Sequence, residues 1–313
     1  MDKIDEILTR RVAKIYPSKK ALEKKLRSGK KIRLYLGIDP TSTNLHLGHL
    51  IPLRILEAFG QLGHEAIFLF GTGTVLVGDP SERDSGRKLI TEKEIKKNVT
   101  NWKEQIKPAI DLKQLKFKSN ADWLTKLSLK DLIKIGSKIS AVQLFKRDSF
   151  TRRIKAGNTV WYHETMYPLL QGYDSVAMDV DLEIGGTDQM FNMLIGRELQ
   201  KKFRNKEKYV LTVQMLPGSD GKTMSKTSGN TINLLDSPKD KYGKAMSIVD
   251  EAIIQYFEFI TDLPLEVIKE FRRNLKSGKT HPMELKKRLA FEIVKMYHGY
   301  EAAQQAQSEF ELV

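Results

Sequence analysis

Residues 32–49 have the sequence IRLYLGIDPTSTNLHLGH, and this stretch decides the fold class. The apolar run at 32–38 is typical of a short buried strand, and residues 46–62 are largely compatible with a helix. A second apolar run, AIFLF at 66–70, comes shortly afterwards. Because two parallel strands need a crossover between them, this order predicts a βαβ unit and a parallel sheet covered by helices.

The apolar pattern continues further along the chain and then changes. Apolar residues occupy alternate positions from 176 to 184, which predicts a strand, and Asp188 could then cap a helix that runs to about residue 203. The segment YVLTVQML at 209–216 predicts another strand. Beyond about residue 235 the pattern is helical only, and this change predicts a smaller all-helical domain.

Composition excludes several classes of protein. The 313 residues contain 53 Lys and Arg against 39 Asp and Glu, which gives a net charge of +14, and they contain no cysteine. Disulfide frameworks, thiolate zinc sites, iron–sulfur clusters and cysteine nucleophiles are therefore excluded. No apolar run reaches the ~18 residues of a membrane helix, and the N-terminus is charged, so we expect a cytoplasmic protein without a membrane partner.

Positive charge is concentrated in two stretches. Residues 10–31 hold ten Lys and Arg against one acidic residue, and residues 269–288 hold eight against two. Two such stretches could follow one long polyanion, but for either stretch alone the solvated face of an amphipathic helix is the favoured interpretation.

The first candidate site follows the first strand. His46 and His49 are spaced i and i+3 beside Gly48, so their imidazoles should face the same way. At a helix N-terminus they would add donors for an anionic phosphate group, and Gly48 would let a flat ring approach the backbone. A zinc pair is disfavoured because the other histidines lack ligand spacing, while a purely structural pair stays open. Pro52 predicts that the helix begins after His46 or bends.

Three further stretches carry polar groups where ligands could bind. The glycines of residues 71–78 do not have the spacing of a dinucleotide fingerprint, so we reject an NAD-binding site there. Residues 79–88 form a polar loop that could close over phosphates or be merely solvated. Tyr167, Gln171 and Asp174 lie at i, i+4 and i+7, a polar helical stripe that favours a small directional pocket. Residues 221–230, GKTMSKTSGN, could order around a triphosphate but lack the P-loop spacing.

These motifs resemble those of a known family. HLGH at 46–49 and MSKT at 224–227 resemble the HIGH and KMSKS signatures of class I aminoacyl-tRNA synthetases. LYLGIDPTSTNLHLGHL, GDPSERDSGR, YPLLQGYDSV and EIGGTDQMFNMLIGREL narrow the resemblance to the bacterial tyrosyl-tRNA synthetases, from about residue 32 to residue 230. The resemblance implies a Rossmann-type parallel sheet with helices on both faces, followed by a small helical domain.

The resemblance also implies an activity and partners. Tyrosine and ATP, with Mg²⁺ accompanying ATP, would give tyrosyl-adenylate and pyrophosphate, and the tyrosyl group would pass to the 3′ end of tRNA(Tyr). We expect no tightly bound protein metal and a homodimer. The implied organisation is a basic N-terminal helical segment at 1–31, a catalytic domain at 32–218 with a connective and dimerisation insertion at about 117–160, a KMSKS-like loop at 219–235, and a helical domain at 236–313.

Site residues follow from the matching positions. For tyrosine, Tyr35 and Asp174 would hold the phenol, Asp79, Tyr167, Gln171 and Gln189 would surround the amine and carboxylate, and Asn120 and Trp123 would form further pocket wall. For ATP, the phosphates would be contacted by Thr41, His46 and His49, and the nucleoside by Gly37, Asp39, Gly48, Gly186 and Asp188. The cations of the loops would be Arg83, Arg87 and Lys226. The other KMSKS-like contacts would come from Lys222, Met224 and Ser225.

Two departures from the family pattern stand out. Thr223 occupies the position of the first KMSKS lysine, and whether Lys222, one position early, replaces it is open. The chain stops at Val313, where the family continues into an S4-type RNA-binding domain, so we expect a natural short form or a truncated one.

Three alternatives to tyrosine activation fit some of these residues. A tryptophanyl-tRNA synthetase is disfavoured by the presence of both Tyr35 and Asp174, which suit a phenol. A non-catalytic RNA-binding relative is disfavoured by the retained loop cations. A nucleotidyltransferase with an HxGH motif does not explain the stripe of Tyr167, Gln171 and Asp174.

Overall fold

The computed structural model describes residues 2–80, 90–222, 224 and 229–312. Four predicted site residues, Arg83, Arg87, Ser225 and Lys226, lie outside this part of the chain. The described residues form six strands: β1 (Val12–Tyr16), β2 (Arg33–Ile38), β3 (Glu65–Phe70), β4 (Lys116–Ser119), β5 (Leu182–Gly186) and β6 (Tyr209–Val213).

The same residues form fifteen α-helices. Those up to β6 are α1 (Lys3–Ile7), α2 (Lys19–Arg27), α3 (Leu50–Gln61), α4 (Glu92–Ile106), α5 (Ala121–Leu124), α6 (Leu129–Gly136), α7 (Ala141–Phe145), α8 (Asp148–Lys155), α9 (Tyr162–Met178) and α10 (Met190–Arg204). Those after β6 are α11 (Pro238–Met246), α12 (Ile253–Ile260), α13 (Leu265–Lys276), α14 (Pro282–His298) and α15 (Tyr300–Glu311).

One sheet contains all six strands in the order β1-β6-β5-β2-β3-β4. Strands β2 to β6 pair in parallel, as the βαβ pattern predicts, and β1 pairs antiparallel with β6 at one edge. The predicted α/β class, with a parallel sheet and a helical C-terminal region, is therefore confirmed; the antiparallel edge strand β1 makes the sheet a mixed one. The fully buried side chains of Leu34, Ile67, Phe68 and Leu182 explain the apolar runs in its central strands.

The prediction that residues 1–31 are helical is wrong in one respect. Helices α1 and α2 flank β1, which belongs to the sheet. Strand β1 has only one buried side chain, Ile15, and pairs on one side only. An edge strand with a single inward position lacks the alternating pattern that identifies strands from sequence.

The alternation from 176 to 184 misplaces the start of β5. Val176 and Met178 are buried residues of the last turn of α9, and Asp179, at φ 50°, ends that helix in the left-handed region. The strand itself begins only at Leu182. Val176 and Met178 are two residues apart, and this spacing matches the period of a strand although both residues belong to a helix.

Two predicted helix starts have different outcomes. Helix α3 begins at Leu50 after a 3₁₀ turn, Leu47–His49, so Pro52 lies in its first turn, where the missing N–H has no helical partner to lose. The prediction of a later start is therefore confirmed. Helix α10 begins at Met190, after the 3₁₀ turn Thr187–Gln189, so Asp188 is not its N-cap.

The chain divides into two compact units. The first comprises residues Met1–Thr41, Ile55–Val99 and Leu112–Val213 and contains the sheet. The second comprises Ser42–Arg54, Thr100–Asp111 and Gln214–Val313 and contains α11 to α15. Within the described ranges, no helix has both the length and the apolar character to cross a membrane.

Candidate functional site

Strands β2 and β5 mark the place in the sheet where a ligand site is expected. From β2 the chain adds β3 and β4 on one side, and it then returns to add β5 and β6 on the other. Ligands of open parallel sheets bind at the carboxyl ends of the strands beside such a reversal of strand order. Tyr35 of β2 and Glu183 of β5 are register partners at this point, and both side chains are buried.

Asp174 lies in the middle of a buried hydrogen-bond network. Its two carboxylate oxygens accept hydrogen bonds from Trp123 Nε1, at 2.8 Å, and from Asn120 Nδ2, at 3.0 Å. Burial raises the pKa of Asp174 well above its ordinary value, and the charges of Glu183 and Asp39 add to the increase, while the two hydrogen bonds oppose it. In its ionised form a buried carboxylate of this kind is a strong acceptor for a hydroxyl.

The network continues from Asn120 to the end of β2. Asn120 Nδ2 also donates to Thr74 Oγ1 at 3.0 Å, and the Thr74 hydroxyl donates to Asp39 Oδ1 at 2.7 Å. The other oxygen of Asp39 accepts a hydrogen bond from the Tyr167 hydroxyl at 3.1 Å. Burial raises the pKa of Tyr167 well above 10, and the charges of Asp39 and Asp79 add to this. Side chains from four separate segments therefore hold one another in fixed positions.

Helix α9 carries Tyr167, Gln171 and Asp174, and its start is fixed by a buried ion pair. Glu164 accepts a hydrogen bond from the backbone of Trp161 at 2.7 Å, and its carboxylate pairs with Arg153 at 2.7 and 2.9 Å. These contacts bind the first turn of α9 to the end of α8, so the polar stripe has a defined orientation.

A second buried network surrounds Tyr35. Its hydroxyl lies 3.1 Å from Ser175 Oγ, which accepts a hydrogen bond from Lys208 Nζ at 2.8 Å. Lys208 also forms an ion pair with Glu183, whose other oxygen accepts from Gln171 Nε2 at 3.1 Å. Burial raises the pKa of Tyr35 well above 10, and the charges of Glu183 and Asp174 add to this. The charge of Asp174 thus contributes to the raised pKa of Tyr35.

A third group of polar side chains follows β3 and β5. Asp79 accepts hydrogen bonds from Gln189 Nε2, at 2.7 Å, and from Arg147 NH2, at 3.0 Å. Gln189 Nε2 also donates to Asp188 at 2.7 Å, and Gln189 Oε1 accepts from Asn192 at 3.0 Å. The structure therefore brings together the predicted residues Asp79, Asp188 and Gln189.

The histidine motif lies in the second unit. His46 precedes the 3₁₀ turn, its backbone N–H donates to His49 Nδ1 at 3.2 Å, and the two ring centroids are 4.0 Å apart. The two imidazoles thus lie side by side, as their spacing predicts. A Cβ at Gly48 would lie 3.1 Å from the His46 ring, so a side chain there would crowd that imidazole, and it would lie in ordinary contact with Met224 Sδ at 3.7 Å.

Backbone hydrogen bonds join this motif to the segment after the MSKT loop. Leu47 N donates to Ile232 O at 3.0 Å, and Leu234 N donates to Leu45 O at 2.9 Å. His46 and Asn233 form an isolated antiparallel bridge between these two bonds. Residues nearly two hundred positions apart are therefore held side by side, which a scan along the sequence does not reveal.

The base of the MSKT loop is closed by polar contacts. Asp220 Oδ1 accepts from Asn230 Nδ2 at 2.8 Å and from Lys222 N at 3.1 Å. A Cβ at Gly218 would lie 2.3 Å from Asn230 Nδ2, so the close approach requires glycine. The Lys222 side chain is exposed.

The remaining predicted residues of the first unit stand apart from these networks. Gly37 is an exposed position of β2, Thr41 is exposed and donates its N–H to Asp39 O at 2.7 Å, and Gly186 ends β5. The described part of the chain holds no group of three or more His, Cys, Asp or Glu side chains placed to hold a metal ion.

Several residues of these networks escaped the sequence analysis. In the first unit these are Ser175, Glu183, Lys208, Arg147 and Thr74. In the second unit they are Trp102 and Gln105, whose side chains bind the loop at 42–45. Trp102 Nε1 donates to Ser42 O, Gln105 Nε2 donates to Thr43 O, and Gln105 Oε1 accepts from Leu45 N. For Glu183 a signal existed: a charged residue stands inside the apolar segment LEIGG.

Comparison with known proteins agrees with this arrangement. The family model described as "tRNA synthetases class I (W and Y)" matches residues 27–313. The tyrosine–tRNA ligase of Moorella thermoacetica is 42% identical over 98% of this chain, which spans 75% of that protein. The tyrosine–tRNA ligase of Carboxydothermus hydrogenoformans is 41% identical over 97% of this chain and 75% of its own length.

Solved structures share the fold at lower sequence identity. A C-terminally truncated mitochondrial tyrosyl-tRNA synthetase of Aspergillus nidulans aligns with a TM-score of 0.81 at 21% identity, over 99% of this chain and 92% of that one. The tyrosyl-tRNA synthetase of Archaeoglobus fulgidus, solved with L-tyrosine, aligns with a TM-score of 0.76 at 22% identity, over 97% of this chain and 98% of that one.

The fold and the family match define a class I tRNA synthetase of the tryptophan and tyrosine group. Within that group the level of identity to curated proteins is decisive, because it exceeds 40% over nearly the whole chain. The chain belongs to the tyrosine–tRNA ligase family.

Proposed function

We propose that this chain activates L-tyrosine with ATP and transfers the tyrosyl group to the 3′ end of tRNA(Tyr). In the first step a carboxylate oxygen of tyrosine attacks the α-phosphorus of ATP, and the bond to pyrophosphate breaks. In the second step a terminal ribose hydroxyl of the tRNA attacks the carbonyl carbon, and AMP leaves. The observation that carries the proposal is the buried pair of Tyr35 and Asp174, which offers a phenol hydroxyl a hydrogen-bond donor and an acceptor.

The phenol end of the pocket accounts for substrate choice. Asp174 would accept a hydrogen bond from the substrate hydroxyl, and the hydroxyl of Tyr35 would donate a hydrogen bond to the oxygen of that hydroxyl. Phenylalanine would leave both buried groups without a partner, and a site with unpaired buried polar groups rejects such an analogue strongly. Tyrosyl-tRNA synthetase is itself the standard example, with a discrimination of ~10⁵ between tyrosine and phenylalanine. Tryptophan lacks a hydroxyl in that position and is rejected for the same reason.

The amine end would use the other residues of the stripe. Gln171 Oε1 is buried and has no hydrogen-bond partner among the described residues, so it can accept from the ammonium group of the substrate. Asp79 and the hydroxyl of Tyr167 supply further polar contacts, and Gln189 donates toward Asp79 on the same side. Asn120 and Trp123 hold Asp174 in place rather than contact the amine.

ATP would be handled by groups that stabilise charge. The imidazoles of His46 and His49, with Thr41, would contact the phosphates, and the glycines Gly37, Gly48 and Gly186 would let the nucleoside approach the backbone. Asp39 and Asp188 would bind its polar groups. The charge that develops on pyrophosphate would be stabilised by the cations Lys222, Lys226, Arg83 and Arg87, and Met224 and Ser225 would contribute further contacts from the same loop as Lys226. Mg²⁺ would enter as part of the ATP substrate. No protein nucleophile is needed.

We also propose a homodimer in the cytoplasm. The segment that the resemblance assigns to dimerisation exposes large apolar side chains: Leu129 (74% exposed), Ile133 (63%) and Val142 (68%). Several large apolar side chains exposed within one segment are typical of a surface that a partner covers.

Pyrophosphate exchange tests the proposed activity. Labelled pyrophosphate should enter ATP when tyrosine is added, and the rate with tryptophan or phenylalanine should stay at background. Equal rates with tyrosine and tryptophan, or no exchange with either, would contradict the proposal.

A further inference from the structure

A buried ion pair lies behind the residues proposed to bind the phenol. Lys208 is 0% exposed and Glu183 is 2% exposed, and each belongs to or directly adjoins a central strand of the sheet. Burial lowers the pKa of Lys208, and the carboxylate of Glu183 opposes that shift. A buried ion pair adds little net stability compared with apolar residues of the same size, so stability alone does not explain its presence here.

Both members of the pair contact side chains of the tyrosine site. Lys208 Nζ donates to Ser175 Oγ at 2.8 Å, and Ser175 Oγ lies 3.1 Å from the hydroxyl of Tyr35. Glu183 accepts from Gln171 at 3.1 Å. The pair is thus one side chain away from the phenol end of the pocket and in direct contact with the amine end.

The helices leave room for the ammonium group of Lys208. A Cβ built at Gly196 would lie 2.6 Å from Lys208 Nζ and 3.0 Å from Ser175 Oγ. A side chain at this position of α10 would therefore force the end of Lys208 or the Ser175 hydroxyl to shift.

The hydrogen-bond directions follow from the chemistry of the groups. An ammonium group only donates, so Ser175 Oγ accepts from Lys208, and its own proton is then available for the oxygen of Tyr35. Glu183 also acts as a hydrogen-bond acceptor for the Tyr35 hydroxyl. Its two oxygens accept from Lys208 and Gln171 as well, and these donors weaken Glu183 as an acceptor, so the phenolic oxygen of the substrate can compete for the Tyr35 proton.

We propose that Lys208, Glu183 and Ser175 are positioning residues that keep the hydroxyl of Tyr35 oriented as a donor toward the phenolic oxygen of the substrate. This inference rests on the proposed function, because it assigns a direction to the hydrogen bonds that select tyrosine. None of the three residues touches the reacting carboxylate or phosphate, so their removal should change the recognition of tyrosine and leave the chemical step unaltered.

Ser175→Ala tests the link to Tyr35 because it removes one hydroxyl and keeps the ion pair. We expect the ratio of kcat/KM for tyrosine to kcat/KM for phenylalanine, measured by pyrophosphate exchange, to fall by about fivefold to tenfold, which corresponds to one buried hydrogen bond. The KM for ATP and kcat at saturating tyrosine should stay within about twofold. Ser149→Ala is the matched control, since Ser149 is buried and its Oγ has no described hydrogen-bond partner; its ratio should not change.

The double variant Lys208→Met with Glu183→Gln tests the pair itself without leaving one charge buried alone. Its ratio should fall at least as far as that of Ser175→Ala, and adding Ser175→Ala to it should cause no further loss, because Lys208 acts through Ser175. An unchanged ratio in Ser175→Ala, or independent losses in the combined variant, would overturn the positioning role. Absence of tyrosine-dependent exchange in the unmodified chain would instead overturn the proposed function, and this inference with it.

Discussion

Asn120 and Asp174, which are 54 positions apart in the chain, are joined by a hydrogen bond of 3.0 Å from Asn120 Nδ2 to Asp174 Oδ2. Asn120 is 1% exposed and Asp174 is 2% exposed, so the contact is shielded from water. Asn120 Oδ1 in turn accepts from Gly73 N at 2.7 Å, which fixes the amide. The carboxylate proposed to receive the substrate hydroxyl is therefore held in place before any ligand binds, and preorganisation of this kind favours selective binding.

Asp174→Ala should weaken tyrosine binding far more than ATP binding. Loss of a hydrogen bond to a charged group costs about 1.5–3 kcal/mol, so we expect the KM for tyrosine to rise about 10-fold to 100-fold. Pyrophosphate exchange at varied tyrosine and at varied ATP measures both constants. Asp122→Ala, which removes an exposed carboxylate from the same region, should change neither. An unchanged KM for tyrosine in Asp174→Ala would refute the pocket assignment.

The tyrosine reaction should depend on the ionisation of Asp174. Because burial raises the pKa of Asp174 above the ordinary value of 3.8, the carboxylate takes up a proton at a higher pH than an exposed aspartate does. The protonated form cannot accept from the phenol as strongly, so kcat/KM for tyrosine should fall as the pH is lowered through this raised pKa. The profile of kcat/KM reports groups of the free enzyme. In Asp174→Asn this fall should be absent; the same fall in that variant would assign it to another group.

Gly71→Ala should disrupt the network around Asp39. A Cβ at Gly71 would lie 1.9 Å from Asp39 Oδ1 and 2.6 Å from Thr74 Oγ1, so both side chains must move. A displacement of about 1 Å in a positioned group can cost about 100-fold in rate, and we expect a loss of that order in kcat/KM for exchange. Gly243→Ala is the control: no atom lies within 4 Å of its Cβ, and alanine should stabilise α11 by up to about 1 kcal/mol. Normal exchange by Gly71→Ala would show that Asp39 is not needed there.

Lys226→Ala should slow activation without weakening the binding of tyrosine. A cation that acts on the charge of departing pyrophosphate contributes in the transition state, so we expect kcat to fall by about 100-fold with the KM for tyrosine nearly unchanged. Rapid-quench measurement of adenylate formation gives both constants. Lys239→Ala, in the same C-terminal half, should behave like the unmodified chain. A normal rate in Lys226→Ala would remove this lysine from the mechanism, and a slow rate in Lys222→Ala would show that Lys222 replaces the missing first lysine.

The exposed apolar side chains of α6 should be covered in a dimer. Sedimentation at micromolar concentration should give twice the chain mass, and Ile133→Glu should shift the equilibrium to the monomer, because it places a charge in an apolar contact. Met283→Glu introduces the same charge at another exposed apolar residue and should leave the dimer intact. A monomer in the unmodified chain at this concentration would contradict the assignment.

The sequence predicts the apolar framework well because the central strands repeat a simple pattern. Ile67, Phe68 and Leu69 form a continuous buried run, and the helical C-terminal region has clear amphipathic segments. The edge strands β1 and β4 escape prediction because they are short and only partly buried. The prediction of a strand from residue 176 is wrong because Val176 and Met178 are buried residues of helix α9, and their spacing of two matches the period of a strand.

The candidate site is predictable only in part, for a physical reason. Motif residues such as His46 and Asp174 are recognisable by spacing or by resemblance. Lys208 and Arg147 are not, because their importance comes from partners that the fold brings from distant segments, Lys208 to Ser175 and Arg147 to Asp79. A lysine or arginine in a basic chain gives no local sign that it is buried.

The acyl-adenylate itself provides the most direct test of the account. The chain would be incubated with ATP, Mg²⁺ and an equimolar mixture of the twenty amino acids, and the adenylates retained by the protein would be identified by mass spectrometry. The account predicts tyrosyl-adenylate as the only product above background. Tryptophanyl-adenylate, a mixture of adenylates, or no adenylate would contradict it.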